Sequence, residues 1–178
     1  PPRSTLFPYT TLFRSTIFKE ILGIELQTPF KRLCYHEAMQ RYGCDKPDIR
    51  FSMELKDLTD VLRHSDFQVF RSCLDGDGVV KAIVVPSGAE FSRKQQDEIV
   101  TLAKHLGGKG VAFTKVGDSV LETGIAKFLS QDEMSGILKA SEANQGDLLA
   151  IVADDNETTS KVLAGLRNHF GIDRKSVV

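Results

Sequence analysis

The sequence predicts an α+β fold, a two-layer sandwich in which a mainly antiparallel sheet carries helices on one face. Short apolar runs rich in β-branched residues are typical of strands. Four strand-like runs lie at residues 67–73, 79–85, 111–116 and 148–153, and the run at 79–85 is rich in β-branched residues. Two longer segments, one from Ser92 and one from Asn156 to Phe170, space their apolar residues as helices do. The resulting order, β2-α-β2-α, forms one sheet with helices on a single face, and the lack of a strand followed by a Gly-rich turn and a helix disfavours a dinucleotide-binding fold.

The residues before this unit are predicted to be helical or irregular. Residues 16–22 are typical of the end of a helix. Residues 34–42 predict a short helix with one apolar face, and the Asp- and Pro-containing run at 44–48 predicts a loop. After the loop, residues 53–58 favour a short strand and residues 57–63 a short helix.

Turn and capping residues divide the predicted unit into its elements. Residues 75–78 read Asp-Gly-Asp-Gly, which is typical of a hairpin turn between the first two strands. Ser92 and Gln95 form a capping box at the start of the clearest helix. Between the third and fourth strands, residues 118–146 are expected to leave the sheet and to hold a short helix at 131–141.

Composition restricts the classes of function. Of the 178 residues, 41% are hydrophobic, which is enough for a packed core. No apolar run approaches the ~20 residues that a membrane span needs, so no membrane partner is expected. The three cysteines have no Cys-x-x-Cys spacing and, with four histidines, form no metal signature. An odd cysteine count without a secretory signal favours a cytoplasmic location.

Both ends of the chain resemble a translated sequencing adapter. Residues 1–15 read PPRSTLFPYTTLFRS, and residues 173–178 resemble the same adapter on the opposite strand. A transit peptide is the alternative for the first segment. We expect residues 1–15 to be disordered, and residues 16–172 then contain 19 basic and 23 acidic residues. This mildly acidic charge disfavours general nucleic-acid binding, although a local basic face is compatible with it.

The most specific stretch is residues 35–50, YHEAMQRYGCDKPDIR. It resembles the segment that follows the second class II catalytic motif in bacterial-type aspartyl-tRNA synthetases. Eleven positions match the pattern of that family: Tyr35, Glu37, Ala38, Arg41, Tyr42, Gly43, Asp45, Lys46, Pro47, Asp48 and Arg50. The family usually has Thr or Ser where Cys34 stands, so the cap of this helix is expected to be weaker by roughly 1 kcal/mol.

Residues from 51 to about 170 resemble the GAD insertion domain, which the same family carries between its second and third catalytic motifs. One archaeal tRNA-dependent amidotransferase subunit shares this domain. The matching runs are Ser-Arg-Lys-Gln at 92–95, Gly-Ile-Ala-Lys-Phe-Leu at 124–129 and Gly-Asp at 146–147. The resemblance implies that residues 16–50 belong to the edge of a class II catalytic domain and residues 51–172 to the insertion domain.

The resemblance implies a homodimeric parent enzyme that uses ATP and Mg²⁺ to activate aspartate and transfers it to tRNA. The family's catalytic and ligand-binding motifs fall outside residues 16–172, so it implies no catalytic, cofactor or metal residue here. Gly-Ile-Asp-Arg at 171–174 resembles the close of the third motif, but part of it is expected to be adapter. We expect the fragment alone to have no ligase activity, to bind no cofactor and to bind tRNA weakly or not at all.

Seven charged residues are candidates for contacts with the border of the active site or with tRNA: Asp45, Lys46, Asp48, Arg50, Arg93, Lys94 and Lys127. The four around Pro47 also suit a salt-bridged loop that joins the two domains, which is the interpretation we favour. Arg93 and Lys94 suit phosphate contacts, but acidic residues on the same helix favour an ordinary solvated face. Lys127 suits a phosphate contact and a snorkelling surface lysine equally.

Two other classes of function stay open from the sequence. One is the insertion domain of an amidotransferase subunit, which handles tRNA without catalysing ligation. The other is an unrelated α+β ligand-binding module. Residues 35–50 discriminate a ligase fragment from both alternatives, because that stretch resembles the catalytic domain of a synthetase and neither alternative explains it.

Overall fold

The computed structural model describes residues 6–173, which belong to two compact units. The first unit ends at Cys34 and contains helix α1 (Leu6–Leu22). Residues 1–5 and 174–178, which are parts of the two expected adapter segments, lie outside the described residues.

Helix α1 includes residues 6–15, for which we expected disorder. This run contains no glycine, and its one proline lies in the first turn, where a backbone N–H would have no helical partner. Local sequence is therefore compatible with a helix that begins ten residues before Thr16. The adapter origin of this run stays a prediction.

The second unit begins at Tyr35 and is built on an antiparallel sheet. Its strands are β1 (Leu55–Asp57), β2 (Val79–Val85), β3 (Ala112–Val116), β4 (Leu121–Glu122) and β5 (Leu148–Asp154), in the spatial order β1-β2-β5-β3-β4. Strand β5 lies in the centre, where Ala150 is opposite Ile83 on one side and Phe113 on the other. The α+β class and the antiparallel sheet are confirmed.

Helices and short 3-10 turns connect the strands. The helices are α2 (Tyr35–Tyr42), α3 (Gln68–Leu74), α4 (Arg93–His105), α5 (Gln131–Ser141) and α6 (Asn156–Asp173), and the 3-10 helices are Gly88–Glu90 and Gly124–Phe128. The capping box of Ser92 and Gln95 is confirmed, and Ser130 and Glu133 form another at the start of α5. The helix expected at 131–141 and the strand expected at 79–85 have the predicted bounds.

Helices cover both faces of the sheet, which differs from the single covered face of the prediction. Leu148 and Ala150 of β5 pack in a core with α4 and α6, whereas Leu149 and Ile151 pack in a second core with α3 and α5. Every residue of β5 from Leu148 to Val152 is buried. An uninterrupted apolar strand is typical of a sheet that is buried on both sides, so the layers are helix, sheet and helix.

Two of the expected elements before β2 were wrong. The run at 67–73 forms most of helix α3 (Gln68–Leu74) rather than a strand, because Phe67, Phe70 and Leu74 lie at helical spacing on the side that enters the second core. The run at 75–78 therefore joins a helix to β2 and forms no hairpin. Of the helix expected at 57–63, Asp57 ends strand β1 and residues 59–63 form turns.

Helix α2 packs within the second unit rather than apart from it. Ala38 and Tyr42 are buried, and Gly43, which has a left-handed backbone (φ 73°), leaves no room for a Cβ beside the carbonyl oxygen of Ser160. The Arg41 guanidinium donates to both carboxylate oxygens of Glu54, at 2.5 and 3.1 Å. The compact unit thus begins before the predicted boundary at 50/51.

A buried arginine joins the last helix to the chain segment that leads into β1. Arg167, only 1% exposed, donates from Nε to the carbonyl oxygen of Met53 at 2.9 Å. Its Nη2 donates to the carbonyl oxygens of Asp48 at 2.7 Å and Phe51 at 2.8 Å. The guanidinium also lies over the rings of Tyr42 and Phe51, at 4.7 and 4.2 Å from their centroids. Burial lowers the pKa of Arg167, but an arginine still remains charged.

We expect Arg167→Met to destabilise the chain by roughly 3 kcal/mol or more, because three carbonyl groups would lose their shared donor. Urea unfolding followed by circular dichroism measures this change. Arg167→Lys keeps the charge but loses the planar fork of donors, so its free energy of unfolding should lie between those of the wild type and Arg167→Met.

The matched control is Arg71→Met, which removes an arginine whose ion pair with Asp66 is largely exposed. Its free energy of unfolding should stay within about 0.5 kcal/mol of the wild type. An unfolding midpoint of Arg167→Met equal to that of the control would contradict the role of the buried guanidinium.

Candidate anion-binding pocket

Three basic side chains from separate elements line one concave pocket of about 600 Å³. Arg93 is the first residue of α4, Lys115 lies in β3, and Lys127 lies in the second 3-10 helix. Among the described side chains, none of the three forms an ion pair with a carboxylate. The Lys127 ammonium lies 4.8 Å from the centroid of the Phe128 ring. The fold therefore concentrates positive charge at this pocket.

The wall that carries Lys127 has an unusual backbone. Thr123 has φ 63° and ψ 177°, a region that is essentially restricted to glycine. Gly124 follows with φ 56°, and a Cβ there would collide with the carbonyl oxygen of Phe113. Both residues line the pocket, so its shape depends on a close approach of this turn to strand β3.

Two acidic side chains lie close to the cations. Asp97 lines the pocket and offsets one of its three positive charges. Glu122 is opposite Lys115 in the β3–β4 register, but its carboxylate lies against Gly117 instead. The remaining lining includes the rings of Phe91 and Phe113. A concavity with net positive charge and aromatic walls suits a phosphate-bearing ligand better than a metal ion.

The pocket contains two of the seven candidate residues of the sequence, Arg93 and Lys127. Lys94 is exposed on α4 and does not line it, and Asp45 and Lys46 are exposed in the loop after α2. Lys115 was not among the candidates, because a single lysine in a predicted strand carries no signal until the 3-10 helix and α4 are placed beside it.

Asp48 and Arg50 pair with each other. The Arg50 guanidinium donates from Nη2 to Asp48 Oδ2 at 2.6 Å and from Nε to Oδ1 at 2.9 Å, and the backbone N–H of Arg50 donates to Oδ1 at 3.0 Å. These hydrogen bonds lower the pKa of the Asp48 carboxyl to about 2. Since Arg167 holds the carbonyl group of Asp48 as well, this loop is fixed from two sides.

A second cavity, of about 620 Å³, lies against the other face of the sheet and has mostly apolar walls. Its lysine, Lys109, is paired with Asp154 at 2.9 Å. Burial raises the pKa of the Cys73 thiol in its wall, which disfavours the thiolate that a nucleophile needs. This cavity therefore has no group suited to nucleophilic catalysis by a thiolate.

Two kinds of feature are absent from the described residues, a cluster of metal ligands and a helix suited to crossing a membrane. Within residues 6–173, no group of three or more His, Cys, Asp or Glu side chains is arranged to hold a metal ion. None of the helices in this range combines the length and the apolar character that crossing a membrane requires.

Comparison with known proteins identifies relatives of this chain. The family model described as GAD domain matches residues 70–163. The aspartate–tRNA(Asp/Asn) ligase of Natranaerobius thermophilus is 46% identical over 156 residues, which is 88% of this chain and 27% of that protein. The enzyme of the same name from Thermoanaerobacter sp. is 48% identical over 155 residues, 87% of this chain and 26% of the relative.

A relative described simply as aspartate–tRNA ligase, from Shouchella clausii, is 41% identical over 163 residues, or 91% of this chain and 28% of that protein. The chain thus spans about a quarter of the length of the curated relatives that it matches.

The Asp48–Arg50 pair predicts a dependence of stability on pH. The folded-state pKa of Asp48 is about 2, below the ordinary value of about 3.9. The pair therefore stabilises the fold above pH ~4, and this contribution is lost as the pH falls towards 2. Asp48→Asn should lower the urea midpoint at neutral pH, and its difference from the wild type should shrink as the solution is acidified.

Asp45→Asn is the matched control, because Asp45 is an exposed acid in the same loop. It should leave the pH profile of the urea midpoint close to that of the wild type. A constant difference between Asp48→Asn and wild type from neutral to acidic pH would contradict the role of the ionised pair.

Proposed function

Because this chain belongs to the GAD domain family, we propose that it is the insertion-domain segment of an aspartate–tRNA ligase, together with the adjoining edge of a class II catalytic domain. The observation that carries this proposal is the eleven-position match of residues 35–50, a stretch that precedes the region matched by the family model. The names of the relatives that span most of the chain support the same activity. An amidotransferase subunit would leave residues 35–50 without an explanation.

The parent enzyme activates aspartate with ATP and Mg²⁺ and transfers it to tRNA. We place its catalytic and ATP-binding residues outside this chain, so the segment itself contributes no reacting group. The parent acts in the cytoplasm as a homodimer, through surfaces that this segment does not supply. The sequence boundary between the two domains lies at 50/51 in this proposal, and the terminal segments are adapter-derived.

The structure suggests what the segment does for its parent. Residues 35–50 come from the catalytic side of the proposed boundary, yet α2 packs on α6 and the Asp48 carbonyl group accepts from Arg167. A connection held in this way transmits the orientation of α2 to the sheet domain. The insertion domain is thus proposed to have a fixed rather than a freely hinged attachment.

The first test is a hybrid enzyme in which residues 16–172 replace the matching segment of the Natranaerobius thermophilus ligase. If the proposal holds, kcat/KM for charging tRNA should remain within about tenfold of the unmodified enzyme, a change of less than roughly 1.4 kcal/mol. Aminoacylation with radiolabelled aspartate measures it.

The hybrid with Arg167→Met serves as the control, since its segment should no longer hold the connection to α2. If the hybrid with the unmodified segment folds, as judged by circular dichroism and its elution volume, but fails to charge tRNA, that result would count against the proposal.

The chain on its own should show neither aspartate-dependent pyrophosphate exchange nor aminoacylation. Both reactions need bound ATP, and the proposal places the ATP-binding residues outside this chain. The purified chain is assayed beside the hybrid enzyme at equal concentration. Activity above that of a buffer blank would contradict the placement of the reacting groups outside this segment.

A further inference from the structure

We propose that the pocket of Arg93, Lys115 and Lys127 binds backbone phosphates of an RNA strand. The identity of this RNA as the tRNA of the parent enzyme rests on the proposed function. The binding itself rests on the geometry of the pocket, and it differs from the weak or absent tRNA binding that the sequence led us to expect of the chain alone.

The arrangement of charge distinguishes this pocket from an ordinary solvated face. Cations on an ordinary helix face commonly pair with acids on the same helix, as Arg41 and Glu37 do on α2. Here three cations from α4, β3 and a 3-10 helix converge, and the described carboxylates form no ion pair with them. Arg93 also lies at the N-terminal end of α4, where the helix dipole favours an anion.

The backbone of the wall is a second, independent observation. Thr123 is a β-branched residue in a conformation that favours glycine, and such conformations cost about 1–3 kcal/mol. Sites of this kind are found preferentially where a ligand is bound. The turn of Thr123 and Gly124 sets the start of the 3-10 helix and so places Lys127 at the pocket.

The chemistry of the lining favours RNA over a small anion. Proteins bind RNA strands through Arg and Lys contacts to phosphates and through aromatic rings that stack on bases. Phe91 and Phe113, which are half-buried against the first core, line the same pocket as the three cations and leave part of their surface open to it. Arg93 can hold two oxygens of one phosphate, whereas the two lysines act as point charges for its neighbours. The pocket is open and its cations are exposed or half-buried, as a strand that passes through requires.

The test compares two triple variants of the full chain. In the pocket variant, Arg93, Lys115 and Lys127 are all replaced by Gln. In the control variant, three exposed lysines outside the pocket, Lys104, Lys139 and Lys161, are replaced by Gln, so that both variants lose three positive charges. Thermal melting establishes that each variant folds.

Binding is measured by fluorescence anisotropy with a labelled transcript of an aspartate tRNA, between about 50 and 200 mM salt. The pocket variant should bind at least about tenfold more weakly than the control variant at the low end of this range. Three lost phosphate contacts should also reduce the slope of log affinity against log salt concentration by about 2 to 3. Equal losses in the two variants, or no binding by the wild-type chain, would overturn the proposal.

Inorganic phosphate is titrated in a separate arm, because a small phosphate ligand has the same chemistry. If phosphate at micromolar concentration displaces the RNA from the wild-type chain, the pocket is a small-anion site and the proposal fails. Weak competition that follows ionic strength alone supports an RNA strand.

The hybrid enzyme separates this proposal from the proposed function. With the pocket variant, the KM for tRNA should rise while the KM values for ATP and aspartate stay unchanged. If the hybrid charges tRNA and its KM is insensitive to the three substitutions, the pocket proposal falls and the ligase assignment stands. If the chain binds RNA through the pocket but the hybrid is inactive, the pocket proposal stands and the ligase assignment falls.

Discussion

The second unit depends on the burial of one guanidinium that, among the described side chains, has no carboxylate partner. Arg167 is satisfied by three backbone carbonyl oxygens and two aromatic rings. Because a planar guanidinium presents donors in a fixed fork and offers its faces to aromatic rings, it can hold an irregular chain segment that no regular hydrogen-bond ladder would hold. The guanidinium therefore fixes the segment that leads into β1, and it holds α2 against α6.

This interaction gives a packing explanation for a stretch of sequence that looks functional. Within residues 35–50, Ala38 and Tyr42 are buried, the Tyr42 ring lies against Arg167 of α6, and Gly43 permits the close approach to Ser160. Arg41 pairs with Glu54, and that hydrogen bond lowers the pKa of the Glu54 carboxyl. Many residues of a highly specific motif therefore hold a connection in place, which agrees with a salt-bridged loop better than with a loop of reacting groups.

Local signals predicted the elements whose determinants are local. The capping box of Ser92 and Gln95 and the β-branched run of β2 depend on neighbours within a few residues, and both were correct. The helix α3 was missed because Phe67 to Cys73 satisfies strand and helix patterns alike, and the second core decides between them. Arg167 was not among the residues that the sequence marked as important, because an arginine in a predicted helix is normally exposed. Only the structure supplies the carbonyl groups that accept its hydrogen bonds. Likewise, Arg93 and Lys127 were candidate residues from the sequence, whereas Lys115 was not. Lys115 reaches the same pocket only because strand β3 pairs with β5 in the folded sheet.

The sheet is long in its middle and short at its borders. The central strands β2 and β5 have seven residues each, whereas the border strands β1 and β4 have three and two. A border strand of this length offers few unpaired backbone groups to a strand from another molecule. The domain is thereby protected against growth of its sheet by addition of foreign strands, a common route to aggregation. Short border strands therefore favour associations through side chains on helices and loops, where shape and charge decide the partner.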